Sequence, residues 1–417
     1  MILIPPDDAV LGRWSRRPAH RAWLAARADG LFDLFETSAN PRGGFFALDG
    51  TGTAAGPDNP ARPIHASARM AHCFAIGALL GRPGAPEIVD HAMQFLWTRH
   101  RDTERGGYFW SVDDHGPVDA SKQGYGHAFV LLAAASAKAI GHPLAETMLA
   151  DAAEILESRF WEDRHGAIAE EFGADWSAVP GYRGQNSNMH LTEALMAAFE
   201  ATGDGLFLKR AEQIADRVIR RSAAEADWRL PEHFSEDWVV DRDYRGNEMF
   251  RPSGTTPGHS LEWARLLLQL WVLGGERLGW LPDAARALFR QALELGWDER
   301  HGGLFYTLDW DDRPLNRLKL WWPLCEGVGA AHFLGELVPD PDAEAAYRRF
   351  WGVIARSFLD RRHGGWIEEL GEDLGPSATL FPGKGDIYHA LQACLIPLYP
   401  ARGSLTRMIA ETGGATA

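Results

Sequence analysis

Arg105-Gly-Gly-Tyr-Phe-Trp110 is one of five near-copies of a single loop, and its recurrence decides the fold. The others are Arg42-Gly-Gly-Phe-Phe46, His165-Gly-Ala-Ile168, His301-Gly-Gly-Leu-Phe-Tyr306 and His363-Gly-Gly-Trp366. Their first glycines fall at 43, 106, 166, 302 and 364, so the gaps are 63, 60, 136 and 62. The third gap is about twice the others. It places a sixth member near Trp228-Arg-Leu-Pro-Glu-His-Phe234, which keeps the aromatics and lacks the glycines. A period of about 60 residues repeated six times is the mark of a closed helical array.

Two helices fit between successive loops. The first set is expected at roughly 18–36, 86–100, 144–160, 205–221, 282–296 and 341–358. These segments are amphipathic, with Leu24, Ala28, Leu31 and Phe35 set against Arg21, Arg27 and Asp33 in the first of them. The second set is expected at roughly 65–81, 122–139, 187–202, 258–274, 320–336 and 385–398. These are apolar around most of their circumference, as in Ala128-Phe-Val-Leu-Leu-Ala-Ala-Ala-Ser-Ala137. A helix apolar all round is buried. Six buried helices inside six amphipathic ones predict an all-α fold, an (α/α)6 barrel. No linker-like spacer interrupts the period, so residues 1–417 are expected to form one domain.

Composition narrows the function. Apolar residues make up 46% and charged residues 24%, the profile of a soluble globular chain. The net charge of −15 argues against nucleic acid or an anionic membrane as partner. The segment MILIPPDDAVLGRW has no basic n-region, and no apolar run reaches the ~18 residues of a membrane span. The three cysteines, Cys73, Cys325 and Cys394, stand far apart and form no metal knuckle or disulfide framework. Cytoplasm is therefore the expected compartment, with a homo-oligomer compatible with the sequence.

The buried helices carry polar residues near their starts. Thr255-Thr-Pro-Gly-His259-Ser-Leu-Glu262 is the plainest case: His259 and Glu262 stand three apart on one face of a helix, where a carboxylate can orient an imidazole. The other starts bring Arg69 and His72; Tyr125 and His127; Asn186, Asn188, His190 and Glu193; Trp322 and Glu326; and Lys384, Asp386 and His389. Arg69, His127, His190, His259, Glu326 and His389 recur at spacings of 58, 63, 69, 67 and 63, so all six are expected to converge on one end of the barrel. Charges on buried helix faces are costly unless paired or functional, which points to a polar pocket. Metal binding by His190, His259 and His389 and glycoside hydrolysis by Glu262 and Glu326 both compete as explanations. Proton transfer at a carbon next to a carbonyl uses every member: two histidines, an arginine for the enediolate oxygen, and carboxylates to orient hydroxyls. Asp309-Trp-Asp-Asp312 follows a Gly-Gly turn and reads as a solvated turn.

At these residues the chain resembles the N-acylglucosamine 2-epimerase superfamily, in its branch of mannose and sulfoquinovose isomerases. The resemblance rests on Ala68-Arg-Met-Ala-His-Cys-Phe74, Lys122-Gln-Gly-Tyr-Gly-His-Ala-Phe-Val130, Asn186-Ser-Asn-Met-His-Leu-Thr-Glu193, Thr256-Pro-Gly-His-Ser-Leu-Glu-Trp263, Leu320-Trp-Trp-Pro-Leu-Cys-Glu326 and Lys384-Gly-Asp-Ile-Tyr-His389. It implies that His259 and His389 are the acid–base pair, that Glu262 is the partner of His259, and that Tyr125, Asn186, His190, Trp322, Glu326 and Arg69 surround the sugar. His72 joins the substrate-binding group and Arg69 steadies the enediolate. No metal and no cofactor are expected. The implied activity is a cofactor-independent aldose–ketose isomerase interconverting mannose and fructose, with a sugar 2-epimerase or a sulfoquinovose isomerase as alternatives. Met249 and Gly385 stand where the sulfonate-binding residues of the sulfoquinovose enzymes are expected, with Arg251 nearby.

Overall fold

The computed structural model describes residues 12–56, 59–338 and 340–413. Six outer helices, α1 (Pro18–Glu36), α3 (Ala85–Phe95), α5 (Ala145–Ile155), α7 (Gly205–Ala215), α9 (Trp280–Gly296) and α11 (Ala343–Val353), alternate with six inner ones. The inner set is α2 (Ile64–Leu79), α4 (Gly124–Ala139), α6 (Gln185–Thr202), α8 (Pro257–Leu273), α10 (Trp321–Leu337) and α12 (Tyr388–Leu395). The expected (α/α)6 barrel is the observed fold. Every residue of α4 from Gly124 to Ala137 is buried, because both its faces are covered. On α9 only Leu281, Ala284, Ala285, Leu288, Phe289, Ala292 and Gly296 are buried, a single stripe at helical spacing. The last inner helix begins at Tyr388 rather than near 385, so Lys384 and Asp386 lie in the loop before it.

Short strand pairs ring the end of the barrel where the inner helices begin. Arg62–Pro63 pairs with Ser111–Val112, Lys122–Gln123 with Glu171–Phe172, Arg183–Gly184 with His233–Phe234, and Lys319–Leu320 with Glu369–Leu370. Each pair ties the start of one inner helix to the loop of the next repeat. Thr255 bridges to Leu308 in the same way, and Leu48 bridges to Lys384, which joins the last repeat to the first. At the opposite end α13 (Leu405–Glu411) packs against α2 and α4. The Glu200 carboxylate at the end of α6 holds it by accepting the Ser404 N–H at 3.1 Å.

The Gly-Gly-aromatic signature has a physical cause. The Asp102 carboxylate, four residues before Gly106, accepts the N–H groups of Glu104 and Arg105 and binds the buried ammonium of Lys122 at 2.8 Å. Asp298 binds Lys319 at 3.0 Å and Asp360 binds Lys384 at 2.8 Å in the same arrangement, and Glu162 with Arg183 is a longer version at 2.6 Å. The ammonium groups of Lys122 and Lys319 lie 4.1 and 3.7 Å from the centres of the Phe109 and Phe305 rings that follow the glycines. Lys384 is thus a loop clamp, not a site residue. The fourth repeat departs from this plan. Ala224 and Thr255 occupy the clamp positions, and Asp227 and Trp228 take the left-handed conformation (φ 53° and 65°) that glycines take elsewhere.

Candidate active site

The inner helix starts enclose a cavity with a largely polar and aromatic lining. Arg69, Tyr125, Asn186, His190, His259, Glu262, Trp322 and His389 all line it, as expected from the sequence. Met249, Phe250, Tyr306, Trp321 and Phe381 complete the wall. Met249 and Phe250 belong to the loop between Phe234 and Pro257. The Phe250 ring packs against His65, Trp110 and Tyr125, roofing one side of the cavity.

His259 and His389 are built alike. Each is buried, and each meets a carboxylate at Nδ1: Glu232 at 2.9 Å for His259, Glu326 at 2.9 Å for His389. Neither Nε2 has a hydrogen-bond partner among the described residues. A carboxylate at Nδ1 fixes the tautomer and orientation of an imidazole whose Nε2 does chemistry. Both rings pack against Trp322, at centroid distances of 4.9 and 5.8 Å. Gly258 makes this possible, since a Cβ there would come within 2.5 Å of the Trp322 ring. Burial would raise the Glu232 pKa, but His259, His233 and Gln185 outweigh it and hold the carboxylate below its ordinary value. Gln185 also donates to Glu232 at 2.8 Å while its oxygen accepts from Trp263 Nε1 at 2.7 Å, so the pair is locked in place.

Arg69 faces the two histidines from α2. Its guanidinium binds Asp386 at 3.1 Å, donates to the Tyr125 hydroxyl at 2.9 Å, and lies over the Phe129 and Tyr388 rings. Asp386 in turn accepts the His389 N–H at 3.1 Å, which couples the arginine to the start of α12. Asn186 Oδ1 and His190 Nδ1 are buried without partners among the described residues. Burial, then the Arg69 charge, holds His190 well below the ordinary histidine pKa, so the ring is neutral.

The structure corrects four expectations. Glu262 is not the partner of His259; it points toward His190 Nδ1, 3.6 Å away, and Glu232 takes the expected role. Glu326 does not line the cavity but stands behind His389, bound to Arg265 at 2.9 Å. His72 lies below the cavity, its Nδ1 2.7 Å from the Ser136 hydroxyl. His127 faces the outer layer, where Nε2 accepts the Tyr108 N–H at 3.0 Å. The last error is one of register. Counted from the cation two residues before each inner helix, Arg62 for α2 and Lys122 for α4, Arg69 corresponds to Phe129 rather than His127, and two residues turn a side chain about 200° round a helix.

Sequence reasoning missed Glu232 and Arg265. A signal for Glu232 was present: Trp110, Glu170, Tyr306 and Glu368 all stand four residues after the first glycine of their loops. With Trp228 in the glycine's place, the same count reaches Glu232. The carbonyls of Trp110, Glu170, Glu232 and Glu368 accept from the first residues of inner helices (Ile64, Gly124, Gln185 and Trp321), which confirms the equivalence. Arg265, nearly two turns below His259, gave no signal beyond its place on a buried helix. It lies among Glu193, Glu262 and Glu326. His190, Glu193 and Glu262 form one set whose potential ligand atoms lie within 4.8 Å of one another, and Glu262, Glu326 and His389 form another. The Arg265 guanidinium already supplies positive charge to these carboxyl groups.

Residues 43–393 match the model of the N-acylglucosamine 2-epimerase (GlcNAc 2-epimerase) family. The chain belongs to that family. It is 42% identical over 408 residues to a D-mannose isomerase of Thermobifida fusca, covering 96% of this chain and 99% of the relative. Its fold superposes on a crystal structure of D-mannose isomerase with a TM-score of 0.85 and 32% identity, over 92% of this chain and 99% of the other. A cellobiose 2-epimerase from Spirochaeta thermophila superposes with a TM-score of 0.79 and 25% identity, over 94% and 97% of the two chains. As a family member the chain joins isomerases and epimerases on one scaffold. Asp309–Asp312, as expected, forms a turn, in which Asp312 binds Arg229 at 2.6 Å. Among the described residues no helix is long and apolar enough to cross a membrane.

Proposed function

We propose that this enzyme interconverts D-mannose and D-fructose without a cofactor. The observation that carries the reading is the pair of buried imidazoles, His259 and His389, each oriented by its own carboxylate and both packed on Trp322 opposite Arg69. The names of the near-full-length relatives support the substrate. His259 opens the pyranose by taking the anomeric O1 proton and giving a proton to the ring oxygen, so that the C1–O5 bond breaks as the C1 carbonyl forms. His389 takes the C2 proton and, after that proton exchanges with solvent, delivers one to C1 through a cis-enediol, while the Arg69 guanidinium stabilises the oxygen that gains negative charge. Trp322 gives the sugar an apolar face, and Asn186 and His190 present polar atoms that lack protein partners. A sulfonate is not favoured. Arg251 is engaged by Glu171 at 3.2 Å and Glu170 at 3.5 Å, outside the lining of the cavity.

Incubation with D-mannose in deuterium oxide tests the reading. The expected product is fructose carrying deuterium at C1. A 2-epimerase would use the same two imidazoles as bases on opposite faces of C2, a reading that the likeness to cellobiose 2-epimerase keeps in view. Deuterium at C2 of glucose with no ketose formed would replace the isomerase by that alternative.

A further inference from the structure

Three carboxyl groups and one guanidinium share the buried floor beneath the cavity. Arg265 donates from Nε to Glu326 at 2.9 Å and from Nη1 to Glu193 at 3.2 Å, while Nη2 stays 3.7 Å from Glu262. Glu326 is further held by His389, and Glu193 by the Tyr388 hydroxyl. Glu262 is the one left over. It is 1% exposed, lines the cavity, and neither of its oxygens has a hydrogen-bond partner among the described residues. His190 Nδ1, 3.6 Å away and itself unpartnered, is too far for a hydrogen bond. One guanidinium cannot neutralise three buried carboxylates, and an unpaired buried carboxylate keeps its proton instead. The surrounding charges agree. Burial, then Glu326 and Glu193, outweigh Arg265 and Arg69 and lift the Glu262 pKa well above the carboxylate range.

We infer that Glu262 is the carboxylic acid that carries the oxygen-bound proton between O1 and O2 of the open-chain sugar. The inference rests on the isomerase reading, because only a 1,2-isomerisation must move that proton as well as the carbon-bound one. As His389 removes the C2 proton and the C1–C2 double bond forms, the carbonyl O1 takes the proton of Glu262. This leaves a neutral cis-enediol and a Glu262 carboxylate, with Arg69 and Arg265 as the nearest guanidinium groups. The carboxylate then takes the proton of O2 as the C2 carbonyl forms, and the electron pair of the C1–C2 double bond takes the His389 proton at C1. Glu262 ends protonated and no co-reactant is consumed. A 2-epimerisation returns O1 to a carbonyl and needs no such carrier.

The test separates the two proton transfers. Glu262→Gln keeps the shape and a donor but cannot exchange a proton with the sugar oxygens. With D-mannose in deuterium oxide, the variant should still exchange the C2 hydrogen at a rate within about tenfold of wild type, because His389 and Arg69 remain. Ketose formation should fall by about 10²–10⁴-fold, the usual worth of a general acid–base group. A merely structural Glu262 would lower both rates together, and parallel loss or undiminished ketose formation would overturn the assignment. Glu193→Gln is the second arm. It frees Arg265 to pair with Glu262, so it should shift the ratio of ketose formation to exchange in the same direction by a smaller factor; an unchanged ratio also overturns the assignment. Wild-type protein that labels C2 of an epimer and makes no ketose overturns both readings. That failure shows in the wild type, whereas failure of the Glu262 assignment alone shows only in the variants.

Discussion

Repeats four and five adjoin the same cavity and are built on different terms. Repeat five follows the common plan: Gly302 and Gly303 turn the chain, Asp298 clamps Lys319, and seventeen residues separate Gly302 from that lysine. Repeat four has neither the glycines nor the clamp, and twenty-seven residues separate Trp228 from Thr255. From this irregular repeat come Glu232, the roofing residues Met249 and Phe250, and His259. The regular repeat contributes wall residues, Tyr306 and Trp322, and Glu326, which backs a histidine from another repeat. Repetition builds the scaffold, and the active site draws most heavily on the place where repetition lapses.

The largest effect should come from the carboxylate that the irregular repeat supplies. Glu232→Gln keeps the contacts with Gln185 but removes the charge that fixes the His259 tautomer. The expected loss in kcat is about 10²–10⁴-fold, the usual worth of a properly held general acid–base group. Thermal stability should change far less. Glu170→Gln is the matched control, at the equivalent position of repeat three; its carboxylate meets Ser187 and Arg251 and no histidine, so kcat should be nearly unchanged. Equal losses in both variants would show that the rim carboxylates act as a group and that repeat four has no special part in catalysis.

The clamp gives the opposite pattern. Lys319 is 1% exposed, and Lys319→Met would leave the Asp298 carboxylate buried without its ammonium. Breaking such a pair costs about 3–5 kcal/mol, read as a lower denaturation midpoint, while kcat measured well below that midpoint should hold. The pH dependence follows from the same contacts. Burial would raise the Asp298 pKa, but the Lys319 and His301 side chains and two backbone N–H groups bring it down to about 2. A depressed carboxylate stabilises the fold fully above its unfolded value near 4 and loses that contribution as pH falls toward 2. Asp102 and Asp360 are shifted in the same direction by Lys122 and Lys384. The wild type should therefore lose stability steeply between about pH 4 and 2, and Asp298→Asn should flatten that limb. An unchanged acid limb would remove the clamps from the account of stability.

The difference between the repeats also sets what a reader of the sequence can see. The glycine loops repeat because each meets a similar demand, a left-handed turn beside a largely buried cation, and in most of them a carboxylate four residues before the first glycine holds that cation. Helix positions, barrel closure and the eight expected residues that line the cavity were legible from that period. Glu262 was right in kind and wrong in partner, and Glu326 backs a histidine where it was expected at the sugar, because spacing along one helix says nothing of what the next element brings. Glu232 lay in a loop whose glycines were replaced, so the marker that would have dated its position was gone. Arg265 sits on a fully buried stretch of helix, and its meaning depends on three carboxylates from two neighbouring helices and its own.

The smallest effect tests whether the lapse in repeat four is strained. Asp227 holds φ 53° with its side chain 94% exposed and a long 3.8 Å contact to Arg229. An exposed contact of that kind contributes little. A left-handed conformation costs an L-residue about 1–2 kcal/mol, toward the low end for Asp, whose short side chain tolerates it. Asp227→Gly removes that cost but adds the unfolded-state freedom of glycine, about 0.4–1 kcal/mol in the opposite direction. The two nearly cancel, so the variant should lie within about 0.5 kcal/mol of wild type by denaturant titration. Gly302→Ala in repeat five has no such offset of equal size. Its φ of 86° lies in the region closed to Cβ, and the added methyl would meet Val353 Cγ2 at 3.4 Å, so stability should fall by about 1 kcal/mol. If Asp227→Gly instead stabilised the chain by more than 1 kcal/mol, repeat four would be holding strain that repeat five avoids, and the irregular loop would be a cost borne by the fold at the site of chemistry.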